Sequence, residues 1–179
     1  MIDLWVEFIK ALLILFPAYA ANGFPPLARG KKSIDMGKNL FGNRLFGDGK
    51  TYEGFALGLL VGFLVGSLES YLYPGLNAYA LEFGVTLPLI TLFIGFIISF
   101  GALFGDLVGS FIKRRLGMKR GAEVPLLDQW NFVIGAVLFS MWFTEITIWM
   151  LLIMLLITPV VHRIANIIAH KLKIKNEPW

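Results

Sequence analysis

The chain contains no cysteine and little charge. The absence of cysteine excludes a disulfide framework, a thiolate metal site and a thiol nucleophile. Only 16% of its 179 residues are charged, 57% are hydrophobic, and the mean hydropathy is +0.73. Soluble globular domains carry about 25% charged residues. The composition therefore excludes an ordinary soluble domain and indicates an integral membrane protein.

The hydrophobic residues fall into five long runs, each close to the roughly 20 residues that an α-helix needs to cross a bilayer. The runs cover residues 4–21, 54–73, 87–109, 126–143 and 146–161. The third is expected to continue as helix to about Leu116. We therefore predict an all-α, polytopic membrane protein with five transmembrane helices, in a single domain over residues 1–179.

The first run has some features of a cleaved signal peptide, because Ala18-Tyr19-Ala20 resembles a cleavage site. However, Asp3 and Glu7 stand where a signal peptide is basic, and Lys10 interrupts the apolar stretch. We therefore keep this run as a transmembrane helix.

Fifteen of the sixteen lysines and arginines lie on one side of the predicted spans, and Lys10 is the exception. They fall in loop 22–53, in loop 113–125 and after the last span. The opposite connections carry Glu82 and Glu145. The positive-inside rule then places both loops and the C-terminus in the cytoplasm and the N-terminus outside. Because the basic residues flank spans, anionic lipid or a phosphate ligand explains the net charge of +4 better than a nucleic acid.

Two aspartates flank a basic cluster between the third and fourth runs. The cluster is Lys113, Arg114, Arg115, Lys119 and Arg120. On a helix, Asp106 shares a face with Lys113, and Asp128 opens the next run. Magnesium prefers hard oxygen ligands and commonly uses one or two carboxylates with substrate phosphates. The arrangement predicts a site for Mg²⁺ and phosphate. In the structural alternative, Asp106 pairs with Lys113 or Arg114, and Asp128 caps its helix.

Loop 22–53 is rich in glycine and lysine. Residues 47–51 suggest a P-loop, but Arg44 stands where the pattern requires a glycine and no strand precedes it. Backbone amides of a glycine-rich loop can still bind phosphate. The loop cations Lys31, Lys32, Lys38 and Lys50 fit either a phosphate ligand or anionic lipid headgroups.

Glycines recur every four residues in the second and third runs. The rows are Gly54, Gly58, Gly62 and Gly66, and Gly101, Gly105 and Gly109. Such rows predict close helix packing in lipid, and the alternative is a glycine-lined conduit. Among the charges within the runs, we expect Lys10 to pair with Glu7 or Glu69.

The residues around Asp106 resemble a family signature. Asp106-Leu107, Ser110, Lys113-Arg114 and Lys119 are similar to the signature of bacterial phosphatidate cytidylyltransferases, which make CDP-diacylglycerol. Beyond Lys119 the chain departs from the bacterial pattern, with Arg120 followed by Pro125-Leu126-Leu127-Asp128-Gln129. That departure, with only five spans, resembles the archaeal branch, the CDP-archaeol synthases.

Further motifs resemble the archaeal branch along most of the chain. They are residues 17–22, residues 30–38, residues 47–51, Thr158-Pro159 with His162 and Asn166, and the terminal Pro178-Trp179. Phe41 and Asn43 depart from the family pattern, in which an acid and a basic residue are expected.

The resemblance implies a Mg²⁺-dependent enzyme at the cytoplasmic face that transfers CMP from CTP to 2,3-bis-O-(geranylgeranyl)-sn-glycerol 1-phosphate and releases pyrophosphate. Its partners would be CTP, this isoprenoid ether lipid phosphate and membrane lipids. It implies that Asp106, Lys113 and Asp128 are catalytic and that the two aspartates hold the metal. The implied nucleotide-binding residues are Asn22, Lys31, Lys32, Lys38, Lys50, Lys113, Arg114 and Lys119. The sequence leaves open whether the chain forms a homo-oligomer.

Two other classes fit less well. A small transporter or channel would use the glycine rows and the in-span acids as a pathway, but the charges cluster at one face and no inverted repeat is visible. A CDP-alcohol phosphotransferase would carry an aspartate-rich helix motif that this chain lacks.

Overall fold

The computed structural model describes residues 3–119 and 121–174. Arg120, Lys175 and the terminal Pro178-Trp179, named in the sequence predictions, lie outside the described residues. The described part is predominantly helical. Its helices are α1 (Leu4–Gly23), α2 (Tyr52–Leu81), α3 (Leu92–Arg115), α4 (Leu127–Ser140) and α5 (Ile148–Lys171). The loop before α2 holds a 3₁₀ turn (Pro25–Ala28) and an antiparallel hairpin of β1 (Asn39–Leu40) and β2 (Asn43–Arg44).

Four of these helices, α1, α2, α3 and α5, are long and apolar enough to cross a bilayer. Helix α4 has 14 residues, about 21 Å at 1.5 Å per residue, which is less than the bilayer core of about 30 Å. It ends early because the backbone turns after Ser140, whose carbonyl accepts hydrogen bonds from the N–H groups of Phe143 and Thr144. The predicted helical architecture is confirmed, and α4 is shorter than the run that predicted it.

Helix α2 extends eight residues past its predicted end at Tyr73, through Pro74 to Leu81. Contacts to the following segment hold this extension. The Tyr73 hydroxyl donates to the carbonyl of Leu87 (3.3 Å), and the Asn77 side chain accepts from the N–H of Leu87 (2.9 Å). Contacts of this kind are not visible in a hydropathy pattern.

The glycine rows are packing surfaces. A Cβ on Gly66 of α2 would lie 2.6 Å from the Cα of Gly95 on α3, and a Cβ on Gly101 of α3 would lie 2.6 Å from the carbonyl oxygen of Gly135 on α4. The backbones therefore meet at distances that exclude a side chain. The predicted packing role of these rows is confirmed. The space beside the glycines, which a glycine-lined conduit would need to be open, is filled by the backbone of the neighbouring helix.

The two long polar segments meet at one end of the bundle. There the side chain of Arg115 donates to carbonyls of the β1–β2 hairpin, and Arg163 of α5 pairs with Glu123 (3.1 Å). We call this end, which carries residues 24–51 and 116–126, the basic end. At the opposite end Glu7 accepts a hydrogen bond from Thr147 and pairs with Lys10 at 3.5 Å. Of the two predicted partners of Lys10, Glu7 is the one found.

Candidate active site

Asp106 lies in the last turns of α3, and its carboxylate pairs with the ammonium group of Lys50. Backbone contacts hold the segment around Lys50. The carbonyl of Lys50 accepts a hydrogen bond from the N–H of Ile34 (2.8 Å), and Thr51, the N-cap of α2, forms an antiparallel β-bridge with Ser33. The Asp106 side chain is 22% exposed. The ion pair therefore joins the first loop to α3 while the carboxylate keeps access to solvent.

Asp128 lies in the first turn of α4 and pairs with Lys113 of α3 at 2.6 Å. Its second oxygen accepts the N–H of Val124 (2.9 Å), and its side chain is 19% exposed. The structural alternative is wrong in its details. Asp106 pairs with Lys50 instead of Lys113 or Arg114, and the N-cap of α4 is Leu126, one position before the helix begins.

Both aspartates border the contact between α3 and α4. Gly105 and Gly109, on either side of Asp106, pack on Asn131, which follows Asp128 by one helical turn. Asp128 contacts the same helix through the side chain of Lys113, a residue two helical turns after Asp106. The sequence predicted two carboxylates facing each other. The structure places both at the edge of the contact between α3 and α4, and each forms an ion pair with a different lysine.

The donor set fits Mg²⁺. Two carboxylates supply hard oxygens from neighbouring helices, and both remain partly exposed. Among the described residues no three His, Asp or Glu side chains form a metal-binding group. A magnesium ion held here would take its remaining ligands from water and phosphate, as Mg²⁺ commonly does.

The predicted basic residues divide into two groups. Lys50 and Lys113 contact the aspartates directly, and Arg114, next to Lys113 on α3, donates to the carbonyl of Lys119 (3.2 Å). Lys31, Lys32, Lys38 and Lys119 are exposed on the loops, and Asn22 is half-buried in the last turn of α1. The structure therefore pairs two of the cations with the two carboxylates, and we call the four exposed lysines and Asn22 the rim residues.

Asp35 organises the first loop, a role that the sequence reasoning missed. It is 3% exposed, and its carboxylate accepts hydrogen bonds from Arg44 and from the N–H groups of Gly37, Phe46 and Gly47 at 2.9–3.1 Å. Burial alone raises the pKa of Asp35, but these donors outweigh it and hold the pKa well below its usual range. The available signal was Asp35-Met36-Gly37, since aspartate often bonds the backbone two residues on.

Arg115 is a second residue that the sequence reasoning left without a role. Its guanidinium, at the end of α3, donates to the carbonyls of Leu40, Asn43 (3.0 Å) and Arg44 (2.6 Å). These contacts attach the hairpin to the helix that carries Asp106. Backbone carbonyls as partners leave no mark in a sequence, so no pattern would have revealed this contact.

Two of the segments that resemble family motifs, residues 17–22 and the segment from Thr158 to Asn166, meet inside the helix bundle. The Tyr19 hydroxyl lies 3.0 Å from the hydroxyl of Thr158, and the ring of Phe132 lies between Tyr19 and His162, with centroid distances of 5.7 and 6.2 Å. His162 lies 3.2 Å from the amide of Asn166. These residues join α1, α4 and α5 close to the basic end.

Comparisons with known proteins agree along the whole chain. The family model described as CarS-like, CDP-archaeol synthase, matches residues 1–179. A CDP-archaeol synthase of Pyrococcus abyssi is 43% identical over 172 residues, covering 95% of this chain and 97% of the relative. One from Thermococcus gammatolerans is 45% identical over 170 residues, covering 94% and 95%.

A solved structure of an intramembrane enzyme for archaeal membrane lipids biosynthesis is also similar. It superposes with a TM-score of 0.74 at 37% sequence identity, covering 89% of this chain and 94% of that chain. The similarity extends to the fold as well as the sequence.

Proposed function

Because the chain belongs to the CDP-archaeol synthase family, an enzyme family of archaeal membrane lipid biosynthesis, we propose that it transfers CMP from CTP to 2,3-bis-O-(geranylgeranyl)-sn-glycerol 1-phosphate. The products are the CDP-lipid and pyrophosphate. The observation that carries this proposal is the pair of partly exposed aspartates at the basic end, each neutralised by a lysine of the predicted phosphate site.

In the proposed reaction an oxygen of the lipid phosphate attacks the α-phosphorus of CTP. The new P–O bond forms as the bond to the oxygen bridging the α- and β-phosphorus breaks, and pyrophosphate leaves with the electron pair. The second pKa of a phosphate monoester is about 6, so the nucleophile is already anionic at neutral pH. No general base is required, and positioning and charge neutralisation supply the catalysis.

The chain's own residues take distinct roles in this proposal. Lys113 and Arg114 are fixed on α3 and hold the triphosphate, while Lys50 lies beside the reacting groups next to Asp106. The rim residues capture CTP as the loops close over it. These are Asn22, Lys31, Lys32, Lys38 and Lys119. Asp106 and Asp128 would hold Mg²⁺, which would neutralise developing charge on the phosphates.

We also propose that the chain is one domain of five membrane passes, with the N-terminus outside and the basic end, including loops 22–53 and 113–125, in the cytoplasm. Helix α4 alone is short, but with the turn after it this segment follows α3 from Lys113, paired with Asp128, to Phe93, whose ring lies 5.1 Å from that of Phe143. That stretch of α3 is about 30 Å long at 1.5 Å per residue, the thickness of a bilayer core.

The test is pyrophosphate release from CTP, lipid phosphate and Mg²⁺ by the detergent-solubilised protein. Asp106→Asn and Asp128→Asn keep the side-chain volume and remove the charge, so turnover should fall by orders of magnitude. Asp3→Asn is the matched control, because Asp3 caps α1 at the opposite end and asparagine caps equally well. If Asp106 served only as an ion-pair partner, Asp106→Asn would lower stability and leave the specific activity of the folded protein unchanged.

Metal-dependent binding of CTP separates the synthase from the alternative, a small transporter or channel. The proposed synthase binds CTP when Mg²⁺ is present, and removing the metal with a chelator weakens binding. Activity that proceeds without the lipid phosphate, or unchanged after chelation, contradicts the proposal.

A further inference from the structure

The loop before α4 contacts both members of the Lys113–Asp128 ion pair. The N–H of Val124 donates to the second carboxylate oxygen of Asp128 (2.9 Å). The ammonium of Lys113 donates to the carbonyl of Ala122 (3.4 Å) as well as to Asp128 (2.6 Å). The backbone at residues 122–124 therefore helps to set how these two candidate site residues are oriented.

Glu123 lies between these two backbone groups, and its side chain contacts a different helix. Its carboxylate pairs with the guanidinium of Arg163 on α5 at 3.1 Å. The glutamate side chain is 33% exposed and the arginine side chain is 49% exposed, and an ion pair this exposed contributes little to stability. What the pair does supply is an attachment of the loop to α5.

Helix α5 is itself fixed close to Asp128. Pro159 has no N–H, so the carbonyl of Leu155 lacks its usual helical partner. The indole N–H of Trp130 on α4 donates to this carbonyl (2.9 Å). Trp130 follows Asp128 in the sequence and Glu123 precedes it, so α5 contacts the chain on both sides of Asp128.

We propose that the Glu123–Arg163 ion pair positions the carboxylate of Asp128 for the cytidylyl transfer. Through the same loop the pair also positions Lys113. This inference rests on the proposed function and extends it to α5, to which the proposed reaction assigns no residue. Removing a group that orients a metal-binding side chain typically costs about 10–100-fold in metal affinity or activity. An exposed ion pair that adds little stability can therefore have a large effect on turnover.

Replacing each partner by alanine tests this assignment. Glu123→Ala and Arg163→Ala should each lower kcat by roughly tenfold or more and raise the Mg²⁺ concentration needed for half the maximal rate. The KM for CTP should change little, since neither residue is assigned to the nucleotide. Unfolding temperatures should stay close to that of the wild type, because the pair is exposed.

The matched control is Lys171→Ala, which removes another exposed cation from the same helix and should leave kcat and the Mg²⁺ requirement unchanged. If Arg163→Ala behaved like this control, or if its lower activity only reflected a loss of folded protein, the assignment would be overturned.

A double variant shows whether the two residues act through their contact. Glu123→Ala combined with Arg163→Ala should lose no more activity than either single variant, because the first substitution already breaks the ion pair. Losses that multiply in the double variant would mean that the residues act separately, which contradicts the assignment.

Hydrogen exchange of the metal-free protein in detergent gives a readout that does not depend on activity. Peptides covering residues 122–128 should exchange faster in Glu123→Ala and Arg163→Ala than in the wild type, because the bond from Val124 to Asp128 is less well held. Unchanged exchange would contradict the positioning role. Wild-type protein that releases no pyrophosphate contradicts the proposed function, whereas an active wild type with an unchanged kcat in Arg163→Ala contradicts the positioning role alone.

Discussion

At the scale of single residues, burial separates aspartates that the sequence presents as equals. Asp35 is almost wholly buried and its oxygens are taken up by Arg44 and backbone N–H groups, so it serves the loop. Asp106 and Asp128 are about one-fifth exposed, and each pairs with a single lysine. A carboxylate that keeps access to solvent can exchange its lysine for a metal and a phosphate, whereas Asp35 cannot.

The two groups of lysines should differ in kinetics. Lys113 is fixed on α3 and paired with Asp128, whereas Lys38 is exposed on the first loop. Losing an interaction made mainly in the transition state lowers kcat, and losing uniform binding raises KM alone. We expect Lys113→Ala to lower kcat strongly and Lys38→Ala mainly to raise the KM for CTP, in steady-state assays at saturating lipid phosphate. If Lys113→Ala changed only the KM, the role of Lys113 on the rigid helix would be wrong.

Asp35→Asn should lower the free energy of unfolding, because asparagine cannot replace a carboxylate that accepts from both Arg44 and the backbone. Leaving buried donors unpaired costs about 1–3 kcal/mol. The native pKa of Asp35 lies well below the unfolded pKa of about 3.9. Its stabilising effect is therefore complete above that unfolded pKa and is lost as the pH falls towards the native pKa.

Thermal unfolding of the solubilised protein measures this effect. The gap between wild type and Asp35→Asn should be constant from about pH 7 to pH 5 and should shrink below about pH 4. Asp48→Asn is the matched control, because Asp48 also pairs with Arg44 (2.6 Å) but is largely exposed, and it should cost little. Equal losses from the two substitutions would show that the burial of Asp35 does not matter.

At the scale of elements, glycines set how closely the helices approach and thereby where the site lies. Gly105 and Gly109 pack α3 on Asn131 of α4, which brings Lys113 to Asp128. Arg115 then holds the β1–β2 hairpin against the end of α3. The candidate site is therefore assembled from helix ends packed through close backbone contact and a loop that the Arg115 side chain attaches to them.

Gly66→Ala should destabilise the protein, because the new methyl group would lie 2.6 Å from the Cα of Gly95 and would force α2 and α3 apart. Overpacking of this kind costs about 1–3 kcal/mol. Gly75→Ala on the same helix meets no atom within 4 Å and should be neutral or slightly stabilising, since alanine favours helix. The measurement is the thermal unfolding temperature of each variant compared with that of the wild type. A stable Gly66→Ala protein would mean that the α2–α3 contact is not tight.

At the scale of the whole molecule, the two ends of the helix bundle differ in charge. The described cations other than Lys10 belong to segments at or beyond the basic end, while Glu82 lies in the opposite connection after α2. From this asymmetry and the positive-inside rule we expect the basic end to lie in the cytoplasm. That proposed orientation would place the candidate site where CTP is available.

Single cysteines can test this orientation, because the chain has no cysteine of its own. In intact cells a membrane-impermeant thiol reagent should label a cysteine at Glu82 and leave one at Lys38 unlabelled. Permeabilised cells provide the control in which both react. Labelling at Lys38 in intact cells would contradict the proposed topology.

The sequence alone determined the helical membrane architecture, the rows of packing glycines and the family, because hydropathy, residue spacing and motif residues are local properties of the chain. It also placed Asp106, Asp128, Lys50 and Lys113 among a larger set of predicted site residues, whose roles remain predictions. Only the tertiary structure decided which lysine meets which aspartate, that α4 ends at Ser140, and that Asp35 and Arg115 hold the loop. These depend on side chains and backbone groups far apart in sequence, and their distances are set by how closely the glycine rows let the helices pack.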